Sequence, residues 1–274
     1  MRIVAGIVLY NPNINRLKSS IFELAKVVDM ICLVDNGSFN IDEVSTLANE
    51  KINIIKNDNN LGIAKALNQL FNYALNNKAS YLLTLDQDSI FSEMALNELL
   101  KYTNIENTAI LCPIINDLNK NNKIKRNNDY KEVNRCITSG TLMNLKLCQK
   151  IGYFDEKMFI DYVDFDYCKR VKNKKMRIIQ VNNSIIDHEI GKRSKRRFLF
   201  FQVYPTNHSP IRIYYYARNI KYYCKKFKSE MTIKEKVKEY IYLIWKLLSV
   251  ILYEKSKCQK ISYFFKGIKD SKYL

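Results

Sequence analysis

Over its first hundred residues the chain switches repeatedly between short apolar runs and helix-like patterns. The runs RIVAGIVLY, MICLVDN, INIIKND and SYLLTLDQD alternate with one helix near Leu17 to Val28 and another near Ile63 to Leu75. Strands separated by helices specify a parallel, doubly wound α/β sheet with helices on both faces, because a parallel crossover needs a connection about as long as a helix. Ligands of such sheets bind beyond the carboxyl ends of the strands. Asn11, Asp35 and the pair Asp86 and Asp88 fall at such ends, so one crevice can gather them.

Two like charges closing a buried strand repel each other and cost free energy to dehydrate, so packing gives no reason for Asp86 and Asp88. In extended backbone, residues i and i+2 point to the same side, which would aim both carboxylates one way and Gln87 the other. That suits a shared Mg²⁺ or Mn²⁺, which takes hard oxygen ligands and completes its shell with water and substrate phosphates. The same spacing recurs at Asp164 and Asp166, as chance allows; placement after an apolar strand singles out the first pair. Gly62 before a helical pattern lets backbone N–H groups approach a phosphate, or simply makes a turn into the helix. DNGS around Asp35 is turn chemistry in either case. Neither a G-x-x-x-x-G-K-[ST] loop nor a G-x-G-x-x-G fingerprint is present, which argues against P-loop NTPases and dinucleotide oxidoreductases.

From about Leu111 to Gly191 a second region is interrupted by NDLNKNNKIKRNNDYKEVN, whose composition reads as a loop inserted over or beside the site. In FIDYVDFDYCKRV, Asp161, Asp164 and Asp166 interrupt apolar residues, while Val163, Tyr167 and Val171 are spaced as one buried helix face. Asp164 then sits in the first helical turn, where the macrodipole stabilises acids. A carboxylate beside a substrate hydroxyl can also serve as a general base. Only two histidines exist, His188 and His208, and no G-x-S-x-G elbow accompanies them, which disfavours a Ser-His-Asp hydrolase. His188 closes an apolar strand pattern, as a metal ligand or as a polar strand-end residue.

The net charge of +18 is unevenly distributed: residues 1–191 carry 24 Lys and Arg against 22 Asp and Glu, whereas residues 192–274 carry 21 against 5. Eleven of the 19 tyrosines also lie beyond residue 200, among the lysines. A basic, aromatic segment suits an anionic surface, nucleic acid or a membrane leaflet, although any single lysine is better explained by a solvated helix face. Thr232 and Glu235 form a capping-box pattern ahead of a long apolar run. YIYLIWKLLSVILY, with Lys246 inside it, is shorter than the roughly 20 apolar residues of a membrane span, so an interfacial or partner-packed helix is expected. The seven scattered cysteines contain no CxxC pair and suggest neither a disulfide framework nor a zinc ribbon, which fits a reducing cytoplasm. The start of the chain reads as a first strand rather than a signal peptide.

Taken in order, VLYNPN, LVDNGS, NNLGIAKALN, LTLDQDS, TSGTLMN, IGYFDEKMFIDYVDFDYCKR and DHEIG resemble the family 2 glycosyltransferases of the GT-A fold, and among them bacterial rhamnosyltransferase-like enzymes. The resemblance covers roughly the first 190 residues, with YYYARN near Arg218 as a further match. It implies a nucleotide-sugar-binding half at 1–110, an acceptor-side half at 111–209 and a basic, tyrosine-rich helical tail at 210–274. It further implies inverting transfer of a sugar, L-rhamnose from a deoxythymidine diphosphate donor being the suggestion, onto a glycan or lipid-linked acceptor of a bacterial surface polysaccharide. Asn11, Asp35, Lys65, Asp86 and Arg218 would then serve the donor. Asp88 and His188 would serve an Mg²⁺ or Mn²⁺ ion, Asp164 would be the base, and Ser139, Gly140 and Asp161 would lie on the acceptor or sugar side. Val163 stands where the family commonly has a glutamate before the base. The tail would hold the enzyme at the inner face of the membrane, without nucleic acid as a partner. A nucleic-acid-binding protein and a two-metal nucleotidyltransferase are the competing readings.

Overall fold

The computed structural model describes residues 1–117, 129–188, 196–198, 201–203 and 205–274. The chain divides into two compact units, Met1–Glu156 with Val163–Glu189, and Lys157–Tyr162 with Ile190–Leu274.

In the first unit the chain runs β1 (Ile3–Leu9), α1 (Ile14–Ala25), β2 (Met30–Asp35), α2 (Ile41–Ser45), β3 (Ile52–Lys56), α3 (Ile63–Asn76), β4 (Tyr81–Asp86), α4 (Glu93–Leu100) and β5 (Thr108–Asp117). It continues through β6 (Tyr130–Glu132), β7 (Thr141–Asn144), α5 (Leu145–Cys148), α6 (Val163–Asn173) and β8 (Arg177–His188). Among the described residues these strands form one sheet in the order β3-β2-β1-β4-β7-β5-β8-β6. The pairs β2–β3, β1–β2, β1–β4 and β5–β8 are parallel, whereas β7 runs antiparallel to both β4 and β5, and β6 antiparallel to β8.

Strand alternation sorts β1 between two helical layers. Ile3, Ala5, Ile7 and Leu9 join Leu17, Ile21 and Leu24 of α1 and Leu96 and Leu99 of α4 in one core. Each buried Ile or Leu among them contributes about 1.5–3 kcal/mol. On the opposite face α3 approaches so closely that a Cβ added to Gly6 would stand 2.9 Å from each Leu70 methyl. Two expected boundaries move. α1 begins at Ile14 rather than near Leu17, because Asn13 Oδ1 accepts from the Arg16 N–H at 3.1 Å and caps the helix earlier. β4 ends at Asp86: the Ser89 N–H donates to the Asp86 carbonyl at 3.1 Å, so Gln87 and Asp88 form a turn. The side-to-side alternation of extended backbone therefore stops before Asp88 and cannot be what aims its carboxylate.

The second unit holds β9 (Arg196–Phe198), β10 (Phe201–Val203), α7 (Pro210–Lys226), α8 (Ile233–Tyr253) and α9 (Lys257–Asp270). The expected capping box is present: Thr232 Oγ1 accepts from the Glu235 N–H at 3.2 Å while Glu235 Oε2 accepts from the Thr232 N–H at 2.8 Å. Helices α7 and α9 pack at backbone distance, since a Cβ on Gly267 would lie 2.3 Å from the Tyr214 carbonyl oxygen. Some of the basic side chains are internal. Buried Glu254 accepts from Lys246 at 3.1 Å and Lys260 at 2.9 Å, and Lys260 also reaches Asn207 Oδ1 at 2.9 Å. Burial pulls the Lys246 pKa down and Glu254 opposes it, the balance expected of an ammonium held in the interior by its carboxylate. The outer side of α8 exposes Ile233, Val237, Ile241, Ile244, Trp245 and Ile251, while Leu243 and Val250 face inward. No helix among the described residues is long and apolar enough to cross a membrane.

Candidate active site

Parallel pairing puts three strand ends side by side, with Leu9 opposite Asp35 and Val8 opposite Asp86. The chain leaving each strand is then tied to its neighbour. Asn11, with φ of +50°, donates its N–H to Ser38 Oγ at 2.8 Å and accepts from the Phe39 N–H on Oδ1 at 3.0 Å. Asp35 is 1% exposed. Its Oδ2 accepts from the Gly37 and Ser38 N–H groups at 3.1 and 3.0 Å, whereas its buried Oδ1 has no hydrogen-bond partner. A buried carboxylate oxygen left unpaired is costly, so this one is suited to a donor brought by a ligand.

Asn36, next to it, organises the loop ahead of α3. Its Oδ1 accepts from the Leu61 N–H at 3.0 Å, and its Nδ2 donates to Asn60 Oδ1 at 3.1 Å and to the Gly62 carbonyl at 3.2 Å. Gly37 has φ of +80°, and a Cβ there would meet the Asn59 backbone at 2.7 Å, so only glycine fits. Lys65, in the first turn of α3, pairs with Glu156 at 3.1 Å, both side chains being about half exposed.

The Asp86–Asp88 turn is held from several directions. Gln87 Oε1 accepts from the Tyr10 N–H at 2.8 Å and its Nε2 donates to the Tyr10 carbonyl at 3.3 Å, so this glutamine clamps the end of β1 to the end of β4. Arg16 Nε donates to the Asp88 carbonyl at 2.8 Å. Buried Ser139 accepts from the Asp86 N–H at 3.1 Å and shares a 2.8 Å hydrogen bond with Ser89 Oγ. Ser139 reaches this position because β7 is antiparallel, so that the residues leading into it arrive where β4 ends. Gly140, with φ of +80°, donates to the Thr84 carbonyl at 2.7 Å, and a Cβ on it would strike Pro113 Cγ at 2.8 Å.

Asp164 lies in the first turn of α6 and its Oδ1 accepts from the Phe165 N–H at 2.9 Å. Val163, Tyr167 and Val171 form the buried face, as their spacing indicates. Asp164 opens on a small recess lined also by Thr138, Thr141, Phe154, Cys136 and Cys168. Asp166, by contrast, is fully buried and bonded to Arg170 Nε at 2.8 Å, a structural ion pair. The thiols beside Asp164 are not poised to react: the hydrogen bond with Cys136 and burial hold Cys168 well above an ordinary thiol.

The first unit thus gathers Asn11, Asp35, Asp86, Asp88, Ser139 and Gly140 at one crest of the sheet, with Lys65 and Asp164 on helices of the same unit. Asp161 and Arg218 belong to the second unit. There Asp161 pairs with Arg212, and Arg218 donates to the Lys157 carbonyl at 2.6 Å. The backbone of His188 pairs with Asp117 at the end of β8; the role expected of its side chain lies outside what is described. Asn36 and Gln87, which fix the crest, carry no sequence signal beyond being polar residues beside an acid at a strand end.

The glycosyl transferase family 2 model matches residues 6–160. The chain belongs to that family. It is a glycosyltransferase of the kind that uses a nucleotide-sugar donor. The transferase is 31% identical to dTDP-rhamnosyl transferase RfbF of Shigella flexneri over 234 residues, 79% of this chain and 78% of that protein. Its fold is shared with GalNAc-T7 solved with UDP, GalNAc and Mn²⁺, at a TM-score of 0.61 and 15% identity over 100% of this chain. The transferase spans 57% of that structure's length. It also matches Staphylococcus aureus TarS 1-349 in complex with UDP-GlcNAc, at a TM-score of 0.59 and 14% identity over 99% of this chain and 80% of that one.

Proposed function

We propose that the transferase moves L-rhamnose, with inversion at the anomeric carbon, from a deoxythymidine diphosphate donor to a hydroxyl of a glycan or lipid-linked acceptor. The likeness to a dTDP-rhamnosyl transferase over most of both chains supports the sugar and the nucleotide. The observation that carries a pyrimidine nucleotide is the unpaired, buried Oδ1 of Asp35 at the strand crest. A pyrimidine presents an N3–H donor, and a carboxylate oxygen already dehydrated gains most from accepting it.

The residues present also fit a divalent ion. Asp86 and Asp88 offer hard oxygen ligands on a turn whose backbone is pinned by Tyr10, Arg16 and Ser139. Among the described residues no group of three or more His, Cys, Asp or Glu side chains could enclose a metal. Two carboxylates match Mg²⁺ or Mn²⁺, which share their shell with substrate phosphates, better than a fully protein-ligated Zn²⁺. Bound there, the ion would supply charge stabilisation to the departing diphosphate.

The chain's own part is binding, orientation and one proton. Asp35, with Asn11 and the Asn36-organised loop, holds the nucleoside, and Asp86 orients the ribose side. Asp164 takes the proton of the acceptor hydroxyl as that oxygen bonds to the anomeric carbon and the sugar–diphosphate bond breaks on the opposite face. A single base meets the need, unlike the two carboxylates of glycoside hydrolysis.

The second unit adds an attachment surface. Exposed aliphatic residues and Trp245 along α8, among Lys234, Lys238, Lys255 and Lys257, match an anionic bilayer in both polarity and charge, which would place the enzyme peripherally on the inner face of the cell membrane.

Melting temperature with candidate nucleotide sugars tests the donor assignment, because a ligand that binds the native state raises it by mass action. dTDP-L-rhamnose with Mn²⁺ or Mg²⁺ should stabilise the protein more than UDP-GlcNAc, and EDTA or Asp88→Ala should remove most of the gain. Equal stabilisation by both donors would refute the nucleotide and sugar assignment.

A further inference from the structure

Within the first unit, one side of α3 and the chain that follows α5 enclose a groove of about 370 Å³, inside the range of small-ligand sites, about 300–1,000 Å³. Lys65, Gln69 and Asn72 line it at the spacing of one helix face, and Tyr153 and Glu156 form the opposite wall. From Lys65 to Asn72 it extends about 10 Å along the helix axis. The two walls are locked together from below. Asn68, 5% exposed, accepts from the Phe154 N–H on Oδ1 at 2.8 Å and donates through Nδ2 to the Phe154 carbonyl at 3.0 Å and to Glu156 at 2.8 Å. The groove is therefore preformed.

Tyr153 follows Gly152, whose φ of +88° lets the chain turn there. Its ring meets Phe71 edge-on with centroids 5.6 Å apart and its hydroxyl donates to Asn72 Oδ1, yet the residue stays 50% exposed. A tyrosine held at ring and hydroxyl but still open to solvent is a contact platform rather than part of the core.

The polar groups around it offer donors and acceptors together. Accepting from Tyr153 leaves the Asn72 NH₂ to serve a ligand. Gln69 exchanges hydrogen bonds with Asn57 at 2.7 and 3.0 Å and keeps a second N–H of its own. Lys65 and Glu156 pair at 3.1 Å, so the lining carries no net charge although the chain carries +18. An anionic polymer would meet a carboxylate here with no surplus of cations to offset it. Sugar hydroxyls, which both donate and accept, match side-chain amides, and the C–H face of a sugar ring lies well on a tyrosine. Phe154 lines both this groove and the recess on which Asp164 opens, so the two share a wall.

We propose that the groove is a subsite for a neutral glycan, holding sugars of the acceptor that are remote from the reacting hydroxyl. This rests on the acceptor's being a glycan.

The test uses the full chain without donor or metal, at raised salt that screens the basic second unit. Labelled protein is passed over an array of short neutral bacterial oligosaccharides, and affinity for each retained glycan is measured by isothermal titration. Tyr153→Ala should weaken that affinity about tenfold or more, as loss of an aromatic anchor does, and Asn72→Ala about three- to tenfold, the worth of one hydrogen bond. Melting temperature should rise equally with dTDP-L-rhamnose and Mn²⁺ in the native protein and both variants. If Tyr153→Ala does not fold, Asn72→Trp, at an exposed helix position, fills the groove and should abolish retention. A native protein that retains no neutral glycan would overturn the proposal, as would retention that no variant weakens, or a parallel loss of donor stabilisation in the variants, the mark of a merely structural role. A protein that holds glycan in the groove but gains no stability from the donor would instead refute the nucleotide and sugar assignment and leave the subsite standing.

Discussion

Ser139 accepts a hydrogen bond from the Asp86 N–H at 3.1 Å and shares another with Ser89 Oγ at 2.8 Å, so one buried hydroxyl joins the chain leading into β7 to the acidic turn after β4. Ser139→Ala leaves the Asp86 N–H without its partner, which costs about 1–3 kcal/mol for a buried group. Urea unfolding should show that loss. Donor affinity in the presence of Mn²⁺ should also weaken, because the turn carrying Asp88 loses one of its ties. A variant equally stable and equally avid for donor would show that the hydroxyl does not organise the turn.

At Asp35 the substitution to Asn separates structure from recognition. The amide oxygen can still accept from the Gly37 and Ser38 N–H groups, which turns the new NH₂ toward the unpaired position. A pyrimidine N3–H would then face a donor. Isothermal titration should find dTDP binding about ten- to a hundredfold weaker, with thermal stability nearly unchanged, in line with the penalty for mismatched buried polar groups. Undiminished dTDP affinity would rule out contact between Asp35 and the base.

Asp164→Asn keeps the size and the Phe165 N–H contact of the native side chain but removes its capacity to take a proton. Donor affinity should stay within about twofold while turnover drops by about two to four orders of magnitude, the usual worth of a general base. Single-turnover measurement with saturating donor checks this.

Attachment to anionic vesicles should depend on the outer face of α8. Ile241 and Ile244 are 45% and 58% exposed, so replacing both with Glu leaves the helix interior intact while adding charge where acyl chains would lie. Co-sedimentation with phosphatidylglycerol vesicles should fall sharply, and raised salt should weaken the native protein's binding, since each nearby lysine contributes about 1 kcal/mol that ions screen. Sedimentation equal to that of the unmodified protein would exclude this face.

The cysteines give a pH test. Burial pushes the Cys32 and Cys148 thiols up to about 12, and Cys258 is exposed. A disulfide reagent at pH 8 should therefore label Cys258 first, and raising the pH to about 10 should still leave Cys32 and Cys148 protonated and unlabelled, because a thiol whose folded pKa is raised ionises only near that higher value. All seven should react in denaturant. Rapid labelling of Cys148 in the native protein would contradict the packing around it.

The parallel half of the sheet was legible because period and length were both clear: β1, β2, β3 and α3 fall where their apolar runs lie, and Gly62 marks the start of α3, whereas the Asn13 cap that starts α1 ahead of Leu17 was not read. The crest residues Asn11, Asp35 and Asp86 followed from the rule that such sheets bind ligands at strand ends. What holds them did not. Gln87 meets Tyr10 across 77 positions and Asn36 meets Leu61 across 25, and a single sequence carries no trace of which distant backbone an amide will grip. Asp161, Asp164 and Asp166 look alike in the sequence. Only tertiary partners separate them into an arginine-clamped lead-in, a carboxylate on a recess and a buried ion pair.

The reversed direction of β7 has an evolutionary corollary. Since it enters the crest from its amino end, the residues leading into it reach the end of β4 without altering any crossover of the β3-β2-β1-β4 half. Selection is therefore constrained at Ser139 and Gly140, which grip that end, and freer in the chain ahead of them.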